Sequence, residues 1–590
     1  MEERWFVLRK GADFEGISKE FGISPIVARL IRNREIIGRE AIDEYLNGNL
    51  DHLYDGILLK DMKLAVDILI EKIQGKKHIR IIGDYDIDGV NATYILLEGL
   101  SRLGARVDSD IPDRVKDGYG LNIELIERAV ADGVDTIVTC DNGIAARSEI
   151  AYAKKQGLTV IITDHHEVPY EDVADENGFE RQFILPDADA IIDPKQAECS
   201  YPFKGLCGAA VAYKLVEVMY QIMGQDSEDV DFLMENVAIA TIGDVMDLVG
   251  ENRIFVKQGL EMLKRTKNLG LKALMEKTMD DINKLEAYHI GFVIGPCLNA
   301  GGRLDTAKRA LNLMLAKQKK EADILAGDLK ALNDNRKEMT IQGVEDAKKI
   351  VEEELQDDSV LVVYLPECHE SLAGIIAGRL RELYHKPAFV LTQGEDAVKG
   401  SGRSIEAYHM YEEMSKCKEL FLKYGGHKLA AGLSLREENV DKFRRTVNQM
   451  SILSEEDLCP KISIDMQLPI AYVDEKLIEE LQLLAPFGKG NTKPSFVEKD
   501  LEVIRLQILG RNQNVMKLTL RDTSGREVIG MRFAEIEKLL DYISDRYGEN
   551  ALELIKRGKP AGVTLSCIYY PTVNSFNGNT TIQLAIQNYR

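Results

Sequence analysis

Three aspartates, Asp84, Asp86 and Asp88, stand at alternate positions in IIGDYDIDG (81–89), closed by Gly89. Carboxylates this close repel one another unless a cation sits among them or water screens them. A polar turn is one reading, because Asp and Gly are common in turns. A metal site is the other. A calcium loop of the EF-hand kind would match Asp84, Asp86, Asp88 and Gly89 to its first, third, fifth and sixth positions. Its twelfth position must then be a bidentate Glu, and Ile95 stands there. The apolar run before Asp84 also reads as a strand rather than the helix such a loop requires, and in an extended strand end Asp84, Asp86 and Asp88 would share one side, toward metal, while Tyr85 and Ile87 pack inward.

Similar groups recur downstream. DTIVTC runs into Asp141, Asn142 and Gly143, and LTVIIT runs into Asp164, His165 and His166. VAIATIG leads into Asp244, which by itself reads equally well as a helix-end cap. Carboxylates mixed with imidazole, without thiolate, suit Mn²⁺ or Mg²⁺, with Zn²⁺, Fe²⁺ and Co²⁺ left open. So many carboxylates exceed the needs of one ion. Two ions about 3.5–4 Å apart, sharing an aspartate, would satisfy them and suit hydrolysis of a phosphate ester.

These residues need a frame that brings them together. HIRIIG, RVDSDIP, DTIVTC, LTVIIT and ADAIID are short strand-like runs, most of them separated by helical segments such as GVNATYILLEGLSRLG and LNIELIERAVADG. This alternation predicts a parallel sheet with helices on its faces. Three of its first four strands then deliver acid or imidazole at their carboxyl ends, the edge where open parallel sheets bind ligands. The polar stretch EDVADENGFERQ, within an insertion near 170–190, reads as surface. The whole is a multidomain α/β chain: an N-terminal helical segment (1–75), a parallel-sheet catalytic domain (76–304), a long connecting helix (305–355) with an interruption near Gly343, a smaller α/β domain (356–455), and a C-terminal β-barrel region (456–590) built from LEVIRLQIL, VMKLTLRD, REVIGMRF, VTLSCIYYP and TTIQLAIQ.

Composition bounds the rest. The chain has 590 residues, 45% of them hydrophobic, enough for several cored domains. The net charge of −22 argues against a surface that coats itself in nucleic acid and leaves room for a local basic groove. Eight cysteines without CxxC spacing suggest reduced thiols in a cytoplasmic protein. There is no signal-like N-terminal run and no membrane-length apolar stretch.

DYDIDG, TCDNGI and TDHHE, in this order and at these strand ends, resemble the DHH phosphoesterase superfamily. HESLAGIIAGRL (369–380), GSGRS (400–404) and GGHKLAAG (425–432) resemble its associated C-terminal domain. LLAPFGKGNTKPSF (483–496), with SPIVARLIRNR, PDRVKDGYG and NAGGRLDTA, resembles the branch of single-strand-specific 5′→3′ DNA exonucleases, in which an OB-fold follows. The resemblance covers essentially the whole chain. Thr492 departs from an expected proline, and the insertion is longer than expected; neither touches a proposed ligand.

The resemblance implies Asp86, Asp88, Asp141, His165 and Asp244 as metal ligands, with Asp84 as ligand or support. Asp164, His165 and His166 form the catalytic group: Asp164 orients an imidazole or binds metal, and His166 faces the scissile phosphate. Arg403 with Ser401, then Arg114 and Arg303, anchor a terminal phosphate, since arginine forks onto phosphate. Each arginine alone reads as readily as a surface ion pair. Gly425, Gly426 and His427 contact the phosphate backbone, or merely make a tight turn. His369 lines the cleft or caps a helix. Phe487, Lys489, Arg505 and Arg511 are barrel contacts, unless Phe487 is core.

The implied activity is Mn²⁺- or Mg²⁺-dependent release of 5′-mononucleotides from single-stranded DNA in recombination and repair. A helicase and a single-strand-binding protein are the implied partners, and a membrane is not. The alternatives are a DHH phosphodiesterase for short oligonucleotides or cyclic dinucleotides, a shorter pyrophosphatase of the same superfamily, and a scaffold without catalysis. The last should have lost ligands that this chain keeps.

Overall fold

The computed structural model describes residues 3–590 except 115, 116, 119, 176, 177, 511, 577 and 578. Arg511 therefore lies outside the described residues. The chain forms two compact units: residues 53–246 with 251–460, and residues 3–52, 247–250 and 461–590. The expected helical segment 1–75 opens instead with a strand, Arg4–Val7, and divides between the units.

The first unit is built on a five-stranded, all-parallel sheet: β1 (His78–Gly83), β2 (Arg106–Asp110), β3 (Thr136–Cys140), β4 (Thr159–Thr163) and β5 (Ala190–Ile192), in spatial order β2-β1-β3-β4-β5. β3 is buried at every position, as strands covered on both faces must be. The register places Gly83 beside Cys140, Cys140 beside Thr163, and Thr163 beside Ile192. The residues that follow, Asp84, Asp141, Asp164 and Asp193, thus leave the sheet at one level.

Helix α1 (Ile87–Arg102) follows β1 directly and is buried over most of its length. It packs with α2 (Gly208–Ile222) and α3 (Met234–Gly243). Under the sheet edge, Arg80 forks onto Asp108 at 2.8 and 2.7 Å and reaches Asp132 at 2.9 Å. The insertion folds into an antiparallel hairpin, Tyr170–Asp175 with Gly178–Phe183.

Helix α4 (Gly295–Leu304) precedes α5 (Lys319–Glu354), which runs 36 residues without the interruption expected near Gly343. Gly343 is buried there, and a Cβ on it would lie 2.6 Å from Ile376 Cδ1, so this glycine serves close packing rather than a break. The helical break lies instead between Leu315 and Lys319.

A mixed sheet follows, of β6 (Leu361–Tyr364), β7 (Ala388–Gln393), β8 (Val398–Arg403), β9 (Phe421–Gly426) and β10 (Ala430–Leu435), in order β9-β10-β8-β7-β6. Helix α6 (Ala373–Tyr384) packs on it.

The second unit centres on a barrel of β11 (Phe496–Leu509), β12 (Val515–Arg521), β13 (Glu527–Arg532), β14 (Thr564–Phe576) and β15 (Asn579–Tyr589). The order β11-β12-β13-β15-β14 closes because β14 also pairs with the first half of β11. The five strand runs read from the sequence are these five strands. Alternate buried positions along β12, Met516, Leu518 and Leu520, fill the interior. No helix among the described residues is long and apolar enough to cross a membrane.

Candidate active site

β1 ends at Gly83, and the chain bends through Tyr85 before α1 begins at Ile87. Asp86 drives this turn. As N-cap, its Oδ1 accepts from the amides of Asp88 (2.9 Å) and Gly89 (3.1 Å). The three aspartates therefore converge through a turn and a helix start, not through strand alternation. The space is tight: a Cβ on Gly89 would lie 2.5 Å from the Asp84 carbonyl oxygen.

Asp88 is fully buried and points at the start of α2, accepting from the Gly208 amide at 2.6 Å and the Ala209 amide at 2.7 Å. The helix end stabilises negative charge there. Gly208 is required by closeness, since its Cβ would lie 2.7 Å from Asp141 Cβ. Asp141 itself holds a left-handed conformation (φ 59°), as does Val245 (φ 58°) just after Asp244. Positive φ in a β-branched residue is strained, and such strain clusters at functional sites.

Ligand-type atoms fall into three overlapping groups, each within 4.8 Å: Asp84, Asp86 and Asp141; Asp88, His165 and Asp244; and Asp141, His165 and His166. His165 Nε2 lies 3.0 Å from Asp141 Oδ1, 3.5 Å from Asp88 Oδ2 and 3.8 Å from Asp244 Oδ2. Asp164 stands outside these groups. It accepts from the amides of Ile144 (2.9 Å), His165 (2.7 Å) and His166 (3.2 Å), and it contacts His166 Nδ1 at 2.7 Å. That arrangement orients an imidazole, one of its two expected roles.

The electrostatics of the cluster suit a cation. Burial, then the charge of Asp86, pushes Asp84 up to about 8 and Asp88 up to about 7. Burial and the neighbouring carboxylates raise Asp141 well above the usual range. Burial, with His166 beside it, lowers His165 to about 3, so the ring is neutral and ready to ligate. Burial opposes charge on His166, but Asp164 outweighs it and holds the ring up at about 9. Asp84 Oδ2 is buried without a hydrogen-bond partner. Hard oxygen donors, a neutral imidazole and an orphaned carboxylate oxygen fit Mn²⁺ or Mg²⁺.

Sequence reasoning passed over Asp193. It follows β5, level with the other strand-end acids, is fully buried, and is pushed up to about 7 by burial and by Asp164. Its signal was present in ADAIID, a further strand ending in Asp.

Next to the acids stands a basic cluster. Arg303 is lowered to about 10 by burial and by Arg114, Arg336 and Arg403 around it, while Asp86 pulls the other way. The Arg303 guanidinium donates to the Ser371 carbonyl at 3.1 Å, and Arg114 lies 4.9 Å over the Tyr85 ring. Arg403 donates to Ser401 Oγ at 3.2 Å. Among the described residues, none of these four arginines forms an ion pair. Unpaired, crowded guanidinium groups mark an anion site. Gly374, in the first turn of α6, leaves it open: a Cβ there would lie 2.9 Å from Ser401 Oγ and 3.0 Å from an Arg403 nitrogen.

Gly425 pairs with Gly432, which pairs with Ser401. A Cβ on either glycine would meet nothing within 4 Å, so this rung is bare backbone beside Ser401. Gly426 pairs with Ala431, and the exposed His427 closes the hairpin by donating its amide to the Ala430 carbonyl at 2.7 Å. His369 caps the turn before α6, its Nδ1 2.8 Å from Ser371 Oγ. In the second unit, Phe487 packs against the barrel core and edge-on to Tyr570, Lys489 lies 3.4 Å from Asp247, and Arg505 lies along Gly558.

A strand-edge cluster of Asp and His on a parallel sheet, followed by a glycine-rich mixed sheet, defines a DHH-type phosphoesterase. Three family models match: the DHH family N-terminal domain over residues 78–241, the DHHA1 domain over 357–451 and the RecJ OB domain over 464–588. The single-stranded-DNA-specific exonuclease RecJ of Bacillus subtilis is 34% identical over 99% of this chain and 70% of its own length. That of Haemophilus influenzae is 32% identical over 95% of each chain. The crystal structure of Thermus thermophilus RecJ in complex with Mn²⁺ superposes with a TM-score of 0.81 at 26% identity, covering all of this chain and 79% of that one; its Mg²⁺ complex gives 0.76 at 25% identity, covering all of this chain and 78% of that one. The chain belongs to the RecJ family.

Proposed function

We propose that this chain is a metal-dependent exonuclease that degrades single-stranded DNA from the 5′ end and releases 5′-mononucleotides. The observation that carries this reading is the unpaired arginine cluster beside a carboxylate–imidazole cluster. One can hold a terminal phosphate while the other directs hydrolysis of the next phosphodiester. Full-length similarity to RecJ enzymes supports it.

Asp84, Asp86 and Asp141 would hold one Mn²⁺ or Mg²⁺, and Asp88, His165 and Asp244 a second. Bound there, the ions supply hydroxide near neutral pH and stabilise charge on the attacking and leaving oxygens. Asp164 takes the His166 Nδ1 proton in a hydrogen bond, which leaves Nε2 to donate to the scissile phosphate or the leaving oxygen. Arg114, Arg303, Ser401 and Arg403 grip the 5′ phosphate, and Gly425, Gly426 and His427 carry the adjoining backbone. The barrel, through Lys489 and Arg505, holds the trailing strand. Action in the cytoplasm, in recombination and repair beside a helicase and a single-strand-binding protein, completes the reading. The alternative, a phosphodiesterase for short or cyclic substrates, leaves the barrel without a task.

The test uses one strand labelled at either end, with a blunt duplex as control, in Mn²⁺, Mg²⁺ and chelator. Immediate release of a 5′-labelled mononucleotide, with the duplex intact, is expected. Arg403→Gln should lower activity on 5′-phosphorylated strands about 10–100-fold, the worth of a charge-assisted contact, and change 5′-hydroxyl strands little. Release from the 3′ end, or equal loss on both substrates, would refute the assignment.

A further inference from the structure

Residues 287–304 form one helical rod in three pieces: a single α-turn (Ala287–His289), a π-helical turn (Ile290–Ile294) and α4. A π-turn carries one extra residue, is rare, and recurs at functional sites. Here it rephases the rod. Its inner side is tight. A Cβ on Gly302 would lie 2.5 Å from the Tyr85 carbonyl oxygen and one on Gly295 would lie 3.1 Å from Ile87 Cδ1, while one on Gly291 would reach Ile242 at an ordinary contact distance of 3.6 Å. The rod therefore lies along the segment that carries Asp84, Asp86 and Asp88, with one inner contact two residues before Asp244.

The outer side is a continuous stripe: Tyr288, Phe292, Pro296, Asn299 and Arg303, at spacings of four, four, three and four. Every member is exposed or partly so. At one end Arg303 enters the arginine cluster. At the other, Tyr288 and Phe292 are 58% and 67% exposed, and their rings stack at 5.1 Å with an interplanar angle of 26°. Many aromatic pairs in this protein meet edge-on, as Tyr213 and Phe255 do at 78°. A near-parallel exposed pair instead offers a flat apolar face to solvent. No acidic residue interrupts the stripe between it and Arg303.

We infer that Tyr288 and Phe292 form a base-stacking platform for the single strand whose 5′ phosphate sits at Arg303. The inference rests on the proposed exonuclease reading and adds a subsite to it. Unpaired bases expose π-faces that such a platform accepts without regard to sequence. Phe292 and Arg303 stand eleven positions apart, about 16 Å along a helix; a strand at about 3.4 Å per nucleotide crosses this in roughly five nucleotides, and a stretched one in fewer. A 5′-phosphorylated dinucleotide is too short to reach the platform, and a 12-mer covers it.

The full chain is compared with Tyr288→Ala/Phe292→Ala, Phe292→Leu and Phe292→Trp. Binding of a 5′-phosphorylated 12-mer is measured in chelator, and hydrolysis of the 12-mer and of the dinucleotide in Mn²⁺. The double variant should bind the 12-mer about 5–150-fold more weakly, the 1–3 kcal/mol of one stacked base, with a matching rise in KM and no change on the dinucleotide. Phe292→Leu keeps apolar area without a π-face and should follow the double variant. Phe292→Trp should retain binding. It also places a second indole in a chain whose one tryptophan is Trp5, and its fluorescence should be quenched by the 12-mer. Unchanged 12-mer binding, or equal loss on the dinucleotide, overturns the platform. A change in oligomeric mass with 12-mer binding intact assigns the face to a second copy and overturns it too. Binding in chelator decides the platform independently of cleavage, so a wild-type protein that binds but does not cut refutes the exonuclease reading alone.

Discussion

Metal uptake should be tied to proton release, because the acidic cluster holds protons where the proposed ions would sit. A raised carboxyl pKa means that the protonated form persists into neutral solution, and a cation must expel that proton to bind. Affinity must therefore rise with pH. With Asp84 near 8 and Asp88 near 7, the pair holds about 1.9 protons at pH 6 and about 0.3 at pH 8.5. Integrated across that range, these two carboxyls give apparent Mn²⁺ affinity about three decades of gain, roughly 4 kcal/mol, and the raised Asp141 adds to it. His165, lowered to about 3, has no proton to lose and contributes nothing. Titration calorimetry with Mn²⁺ at pH 6, 7 and 8.5, each in two buffers of different ionisation heat, gives affinity and proton count together. At least one decade of gain, with protons released at pH 6 and few at pH 8.5, is the expected outcome. Asp84→Asn should remove close to one of the protons released at pH 7. An affinity flat from pH 6 to 8.5, with no proton release, would mean that these carboxylates are already ionised and that the crowding argued above is wrong.

Gly208→Ala places a Cβ 2.7 Å from Asp141 Cβ, an atom that cannot swing away, so α2 or Asp141 must shift by about 1 Å. The expected loss in kcat is about 10–100-fold with unchanged circular dichroism, and wild-type turnover would refute the contact. Arg80→Met removes the fork onto Asp108 and should cost about 1–3 kcal/mol in urea unfolding of the metal-free protein. Burial opposes ionisation of Asp108, but Arg80 outweighs it and holds it below the usual carboxylate range. The stability this provides is thus present above the unfolded carboxyl's pKa, near pH 4, and lost as pH falls further. Arg80→Met should flatten that acid limb.

Much of this architecture was legible because its signals are local. β1, β3 and β4 are short runs rich in β-branched residues, and the barrel strands alternate, so both patterns survive in the sequence. The strand-end acids followed from the same runs, and the register that sets Gly83, Cys140 and Thr163 side by side turns three distant motifs into one cluster. The convergence of Asp84, Asp86 and Asp88 was misjudged. Strand periodicity gives no warning that Asp86 would spend an oxygen on its own helix start and bend the chain. Gly343 was taken for a break because glycine is a poor helix former, while its partner Ile376 lies 33 positions away. The hold of the Gly208 and Ala209 amides on Asp88 spans about 120 residues and leaves no trace in spacing. Asp193 was legible too, since ADAIID reads as a strand, but only the ends of the first four strands were weighed.

The carboxylates from Asp84 to Asp244 span 160 positions of chain, so the proposed ions, seated among them, would tie together segments that an unfolded polypeptide scatters. Such a clasp works like a reversible cross-link, and it favours the folded form in proportion to the logarithm of free cation. Resistance to proteolysis in this part of the protein should then be a property of the ion supply as much as of the sequence. Starving the enzyme of Mn²⁺ and Mg²⁺ would shorten its lifetime as well as stop its turnover.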